Sequence, residues 1–197
     1  MGTPDRSNLN FQEKVRKAFA FLGDLGFSEV EALPTIVRYR KGDIEVDVYH
    51  GRQSYEIGAG VTAFGTRYPI SAIICAVDSE AFKRFRYAMT TTPEGIVAGL
   101  EELSSLMKRY GRAAIEGDPQ FFSTLEKQKQ LWSAEYAIDV LARQLRPQAD
   151  EAFRRRDYSK AADLYSRIKN RLTKTELKKL SLAEERRGKG GKNSGNT

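Results

Sequence analysis

The chain has 197 residues, enough for one sizeable core and an appendage. No apolar run approaches the roughly 20 residues that a membrane-spanning helix needs, and residues 1–10 lack the apolar centre of a signal peptide. Cys75 is the only cysteine, so the chain forms no internal disulfide. These features argue against a membrane protein or a disulfide-stabilised secreted domain, and we expect a cytoplasmic location.

The net charge of +7 is unevenly distributed. Residues 167–197 hold ten basic and three acidic side chains, which give that segment alone a charge of +7. Residues 1–166 balance to zero. The high isoelectric point therefore describes the C-terminal part of the chain and not its main domain.

The first half of the chain predicts a helix followed by a small sheet. Apolar residues at helical spacing over residues 11–22 predict the helix, which glycines end. Strict alternation over 35–40, 44–49 and 55–61 then predicts strands with one buried face and one solvated face. Because short glycine-containing turns separate these segments, we expect a three-stranded antiparallel meander.

Helices are predicted for the rest of the first domain. Two short ones cover 69–77 and 79–87, and a longer one begins after the N-cap residue Thr92. Gly111 ends this longer helix, and a further helix that Asp118-Pro119 opens is expected to reach Leu145 and to end before Pro147. Since no other element can cover the apolar face of the sheet, we expect helices to pack on it.

The fold class is therefore α+β, with an α+β domain over 1–145, a helical extension over 146–187 and a disordered basic tail over 188–197. The tail is rich in glycine, lysine and asparagine, a composition typical of disorder. Within the extension, a capping box with Thr173 at its start predicts a helix that ends near Arg187.

The segment from Leu145 to Lys178 resembles a single tetratricopeptide repeat. Ala152, Ala161 and Tyr165 carry the resemblance, together with the turn at Asp157-Tyr158. It departs from the repeat at Ile168 and Thr173, where a small residue and a proline are usual. The resemblance implies two antiparallel helices in close contact, and an ordinary helical hairpin is the alternative because one repeat cannot bury its own face.

A second resemblance covers residues 11–130. The stretch from Val37-Arg38-Tyr39 to Ser54-Tyr55-Glu56-Ile57-Gly58 carries it, and it is similar to small uncharacterised bacterial proteins, some of which lie among toxin–immunity or defence genes. It implies a role of that type in a bacterial cytoplasm, and it implies no particular chemistry.

Few residues suggest chemistry. His50, the only histidine, lies in a predicted turn and is expected to be solvated, whereas Cys75 in an apolar run is expected to be a buried thiol. One histidine and one cysteine do not make a typical zinc site. Gly58 and Gly60 fit neither phosphate-loop pattern and indicate a bulge or a close backbone approach. We expect no cofactor and no metal, and a role without catalysis ranks above an enzyme.

The predicted solvated face of the sheet is the first candidate site. Glu45, Asp47, Tyr49 and Glu56 share this face if the strands pair as a meander. Tyrosine supplies contact area, and the acids steer a basic partner. The pattern therefore predicts a protein-interaction module that binds a protein partner here, although solvated surface acids, a catalytic carboxylate pair or a divalent-cation site stay open.

The basic C-terminal helices are the second candidate site, for an accessory nucleic-acid-binding protein. Lysine and arginine neutralise phosphates, but no aromatic residue for base stacking follows Tyr165, and no nucleic-acid-binding motif is present. Solubility or non-specific electrostatics explains this charge equally well. The candidate residues are Arg167, Lys169, Arg171, Lys174, Lys178, Lys179, Arg186 and Arg187.

Overall fold

The protein combines α-helices with one antiparallel sheet of six strands, which confirms the mixed α+β class. The computed structural model describes residues 9–190. Along the sheet the strands follow the order β1-β2-β3-β4-β5, with β6 also paired to β4. The strands are β1 Ser28–Leu33, β2 Ile36–Lys41, β3 Ile44–His50, β4 Glu56–Ala63, β5 Thr66–Pro69 and β6 Ala88–Met89.

The sheet is larger than the three strands that alternation predicts. Those strands correspond to β2, β3 and β4, whereas β1, β5 and β6 are additional. Both β5 and β6 lie along the edge of β4 that β3 leaves open, β5 against residues 60–63 and β6 against residues 56–57. Strands of four and two residues carry too little alternation to be recognised, because their pairing depends on tertiary contacts.

Within residues 9–190 the structure has nine α-helices. The longer helix predicted after Thr92 is present, and the hydroxyl of Thr92 accepts a hydrogen bond from the Gly95 N–H at 3.1 Å. The helix predicted over 11–22 is interrupted near Phe19 and forms two pieces. The helices are α1 Phe11–Ala18, α2 Phe21–Asp24, α3 Ile70–Val77, α4 Ser79–Arg84, α5 Pro93–Tyr110, α6 Arg112–Glu116, α7 Pro119–Arg154, α8 Tyr158–Arg167 and α9 Lys174–Gly190.

One hydrophobic core joins the apolar side of the sheet to α1, α3 and α5. From the sheet it contains alternate residues such as Val37, Val46 and Val48, all fully buried. Helix α5 approaches β4 closely at Gly99, where an added Cβ would lie 2.7 Å from Cδ1 of Ile57. These three helices therefore lie on one side of the sheet, and the polar side chains of the strands lie on the other side.

The chain divides into two compact units, residues 1–128 (the first unit) and residues 129–197 (the second unit). The division falls within α7, and the expectation that this helix ends before Pro147 is wrong. Proline costs a helix interior about 3 kcal/mol, but here the flanking Leu145 and Ala149 are buried, and their packing holds the helix together. The domain boundary expected near residue 145 stays a prediction.

The second unit packs the end of α7 against α8 and α9. Small side chains, among them Ala152 and Ala161, make up much of its core, and Tyr165 is fully buried there. The resemblance to a tetratricopeptide repeat stays a prediction. Helix α9 extends to Gly190, beyond the predicted end near Arg187, and residues 191–197 of the predicted tail lie outside the described residues.

Asp150 links all three helices of the second unit. One of its carboxylate oxygens accepts hydrogen bonds from Lys179 Nζ at 2.6 Å and from the Tyr165 hydroxyl at 2.5 Å. These two hydrogen bonds hold the pKa of Asp150 below its ordinary value. The folded state therefore favours the ionised carboxylate.

The sign of this shift predicts how the stability of the second unit depends on pH. The contribution of Asp150 is present above the unfolded pKa of about 3.9 and is lost as pH falls through the lower folded value. The hydrogen-exchange protection factors of amides in α8 and α9 should fall in acid, and Asp150→Asn should reduce that fall. The control Asp163→Asn removes an exposed ion pair to Arg187. Equal acid sensitivity in Asp150→Asn and the wild type would contradict this role.

No helix within residues 9–190 has the combination of length and apolar composition that crossing a bilayer requires.

Candidate functional site

The polar side of the sheet, which we call the outer face, carries the first candidate site. It consists of alternate residues of β2 to β5 that point away from the hydrophobic core. Strand register places Arg38 opposite Asp47, and Asp47 opposite Gly60. The structure thus places Glu45, Asp47, Tyr49 and Glu56 on one face, as the alternation predicts. The outer face comprises Arg38, Arg40, Glu45, Asp47, Tyr49, Glu56, Gly58, Gly60, Thr62 and Arg67.

An ion pair between Asp47 and Arg67 occupies the centre of this face. Arg67 donates from Nε to Oδ1 at 2.7 Å and from Nη2 to Oδ2 at 2.6 Å, a two-pronged geometry that guanidinium and carboxylate groups favour. Asp47 is only 4% exposed. The hydrogen bond to Asp47 raises the pKa of Arg67. The charge of Asp47 is therefore satisfied within the protein.

Gly60 makes room for this ion pair. A Cβ at position 60 would lie 2.7 Å from Cζ of Arg67, so any larger residue would displace the guanidinium. Because β3 and β4 pair in regular register through Gly58 and Gly60, a bulge does not account for these glycines. Of the two predicted explanations, the close approach is the one observed, and the approaching groups are side chains of neighbouring strands.

Tyr49 lies across Gly58 beside the ion pair. A Cβ at Gly58 would lie 2.4 Å from Cζ of Tyr49, and the guanidinium of Arg67 lies 5.4 Å from the centre of the Tyr49 ring. The Tyr49 hydroxyl donates to Oε1 of Glu56 at 2.6 Å. Burial and this hydrogen bond raise the pKa of Tyr49. The ring is therefore fixed in position by contacts on three sides, and its hydroxyl stays protonated near neutral pH.

A second set of ion-paired side chains lies on the part of the outer face nearer to β1. Arg40 donates to Oε2 of Glu45 at 2.7 Å, and Nε of Arg38 lies 3.6 Å from Oε1 of the same residue. Arg38 also pairs with Glu31 of β1. The arginine side chains remain 38% exposed at Arg38, 57% at Arg40 and 41% at Arg67, whereas Glu45 is 20% exposed. Solvent therefore meets guanidinium groups more than carboxylates.

This pairing corrects the predicted electrostatics of the face. The sequence interpretation treats the acids as a charged surface that steers a basic partner. Glu45 and Asp47 are instead neutralised by arginines, and Glu56 accepts the Tyr49 hydroxyl. The alternation over residues 35–40 places Arg38 and Arg40 on a strand next to these acids. It gives no such indication for Arg67, because β5 is too short to be predicted from the sequence.

His50 differs from its predicted state. It is the last residue of β3, it is 2% exposed, and its ring stacks on Phe11 with centroids 5.9 Å apart. Its Nε2 lies 2.9 Å from the carbonyl oxygen of Thr90, to which the protonated nitrogen donates. The expectation of a solvated turn residue is therefore wrong. Cys75 in α3 is partly exposed, so the expectation of a buried thiol is also wrong. No group of three or more histidine, cysteine, aspartate or glutamate residues within the described part of the chain could hold a metal ion.

The eight basic candidate residues of the second unit fall into two sets. In the first set, Arg171 pairs with an aspartate of α7, and the remaining members bind acids or a tyrosine of the same unit; the set is Arg171, Lys179, Arg186 and Arg187. The second set makes no side-chain hydrogen bond or ion pair with residues 9–190, and it lies around the connection from α8 to α9. Its members are Arg167, Lys169, Lys174 and Lys178.

The chain matches no family model, no curated protein and no solved structure. The resemblances to a tetratricopeptide repeat and to bacterial immunity or defence proteins therefore stay predictions. What the chain does is inferred from its own side chains, on the outer face and around the α8–α9 connection.

Proposed function

We propose that the chain is a non-enzymatic interaction module that binds a protein partner through the outer face of its sheet. The observation that carries this proposal is the fixed arrangement of Tyr49 and Arg67 over two glycines, on the side of the sheet opposite to α1, α3 and α5. Tyrosine and arginine are among the residues that contribute most to binding energy at protein interfaces.

The hydrogen bonds of the outer face support binding because they fix the contacting groups in advance. Ordering a flexible side chain at an interface costs about 0.5–1.5 kcal/mol, and Asp47 and Glu56 already hold Arg67 and Tyr49 in place. Arg67 uses its Nε and Nη2 groups on Asp47. Its Nη1 group makes no hydrogen bond within the described residues, so it can donate to a carbonyl or carboxylate of the partner.

The resemblance to proteins of toxin–immunity and defence loci supports a cytoplasmic bacterial role of that kind within the same proposal. Such a role requires a preformed surface that recognises one partner. The outer face has this character, since its side chains are held by neighbouring strands and not by loops.

The test uses a partner recovered with the tagged full chain from cells of its source organism. Once that partner is purified, its affinity is measured for the wild type, Tyr49→Ala and Val97→Ala. We expect Tyr49→Ala to weaken binding about tenfold or more, since interface tyrosines commonly contribute over 1 kcal/mol. Val97, 38% exposed on α5, is the matched control away from the outer face. Equal affinity for the wild type and Tyr49→Ala, with both proteins folded, would remove this face from the account.

Nucleic-acid binding is a second candidate, favoured by the four basic residues without acidic partners around the α8–α9 connection. Each phosphate contact contributes about 0.9 to the slope of log affinity against log salt concentration. We therefore expect Lys174→Glu with Lys178→Glu to abolish binding to a labelled duplex. The control Arg187→Glu, at a residue already paired with Asp163, should have a smaller effect. Absence of binding by the wild type at low salt would eliminate this candidate.

A further inference from the structure

A cavity lies in the first unit, where α2, the last turn of α5 and α6 meet. Its volume is about 220 Å³. Phe21 opens α2, and Leu25 follows one helical turn later, so both side chains point to the same side. Met107 of α5 and Ile115 of α6 are buried and complete the apolar lining. Leu25 is 45% exposed, so the cavity opens to solvent beside it.

The volume and the lining of the cavity suit a small apolar group. An apolar cavity of about 150 Å³ is large enough to bind benzene, and the cavity here is somewhat larger. Phe21 contributes an aromatic ring to the lining and Met107 a thioether, and sulfur–aromatic contacts are favourable. A ligand whose body is one aromatic ring would therefore remove these apolar walls from water.

A lysine determines the charge at the mouth of the cavity. Nζ of Lys108 lies 4.8 Å from the centre of the Phe21 ring, and Lys108 makes no side-chain hydrogen bond or ion pair within the described residues. Its contact with the ring leaves the charge in place. The other charged lining residues, Arg112 and Glu116, pair with each other at 2.8 Å. Two cations and one carboxylate give the lining a net charge of +1, and the ammonium group of Lys108 supplies it.

We infer that this cavity binds a small carboxylate whose apolar body has the size of one aromatic ring. The ring packs against Phe21 and Met107, and the carboxylate accepts hydrogen bonds from the ammonium group of Lys108. Hydrogen bonds between two charged groups are stronger than those between neutral ones, so the site prefers an anion to a neutral molecule of the same shape. The inference goes beyond the proposed function and does not depend on it, because helices line the cavity and strands form the outer face.

The first experiment titrates phenylpropionate into the full chain, isotope-labelled at its methionine methyl groups. Met107 lines the cavity, whereas Met89 on β6 is 70% exposed and serves as an internal control. We expect the Met107 signal to shift with a dissociation constant in the millimolar range or below, and the Met89 signal to stay in place. Phenylpropanol, which lacks the charge, should bind about tenfold more weakly. Absence of a saturable Met107 shift with phenylpropionate, or equal affinity for the two ligands, would contradict the inference.

The second experiment tests the role of Lys108. Lys108→Met keeps an apolar side chain and removes the charge, so we expect it to weaken phenylpropionate binding about tenfold and to leave phenylpropanol binding unchanged. The control Lys160→Met makes the same change at another exposed lysine, on α8, and should alter neither affinity. Leu25→Ala removes an apolar wall and should weaken both ligands. Thermal unfolding verifies that each variant is folded. Equal phenylpropionate affinity in the wild type and in folded Lys108→Met would overturn the inference.

Discussion

Replacing Arg67 by methionine is expected to lower the free energy of unfolding of the first unit by about 2–3 kcal/mol. The methionine keeps most of the side-chain length, but it leaves the 4% exposed carboxylate of Asp47 without its partner. Arg38, directly opposite on β2, is already held by Glu31 and Glu45. Water can reach Asp47 once the guanidinium is absent. The expected loss of stability is therefore near the lower end of the range for breaking a buried ion pair. Hydrogen exchange of β3 and β4 measures the change.

The matched control for Arg67→Met is removal of the other charge of the pair. Asp47→Asn leaves a guanidinium that is 41% exposed and can return to water, so we expect a smaller loss of about 1 kcal/mol. The difference between the two variants in free energy of unfolding is what tests this explanation. If Asp47→Asn is as destabilising as Arg67→Met, burial of the carboxylate is not what makes this ion pair matter.

Gly58→Val is expected to reduce partner affinity about 30-fold while the sheet stays folded. The new side chain would occupy the space of the Tyr49 ring, since even a Cβ there would lie 2.4 Å from Cζ of Tyr49. Displaced from Gly58, the ring loses its contact with Arg67 and its hydrogen bond to Glu56. An interface residue of this kind contributes about 2 kcal/mol or more. The strand preference of valine offsets part of the strain, so the effect on stability should be modest.

Titration calorimetry with the purified partner measures the loss in Gly58→Val, and thermal unfolding monitors the fold. Gly23→Ala is a suitable control, because a Cβ at Gly23 meets no atom within 4 Å. Unchanged affinity in Gly58→Val, with the displaced Tyr49 confirmed by nuclear magnetic resonance, would show that the position of the ring does not matter for binding.

Alternation of apolar and polar residues was enough to predict which side chains of β3 share a face. Glu45, Asp47 and Tyr49 lie together because the side-chain period of a strand is two. The same period, extended by two residues from Val48, places His50 in the core, although the following glycine is typical of a turn. Pattern therefore identifies the face of a side chain better than it identifies the end of a strand.

The partners of those side chains could not be predicted in the same way. Asp47 is neutralised by Arg67, which is 20 residues further along and belongs to a strand of only four residues. The contact depends on how β5 folds back onto β4, and local sequence carries little information about that pairing. For the same reason Gly58 and Gly60 could be assigned a close approach but not the groups that approach them.

The proposal that the outer face binds a protein is tested most directly by a photo-activatable cross-linker on that face. A benzophenone-bearing residue at position 40, where the side chain is 57% exposed, reports on the outer face, and the same residue at position 97 reports on α5. We expect a cross-linked product of one defined mass from position 40 in cells of the source organism, which Gly58→Val abolishes, and no such product from position 97. Equal labelling from both positions, or a product from position 40 that Gly58→Val leaves unchanged, would contradict the proposal.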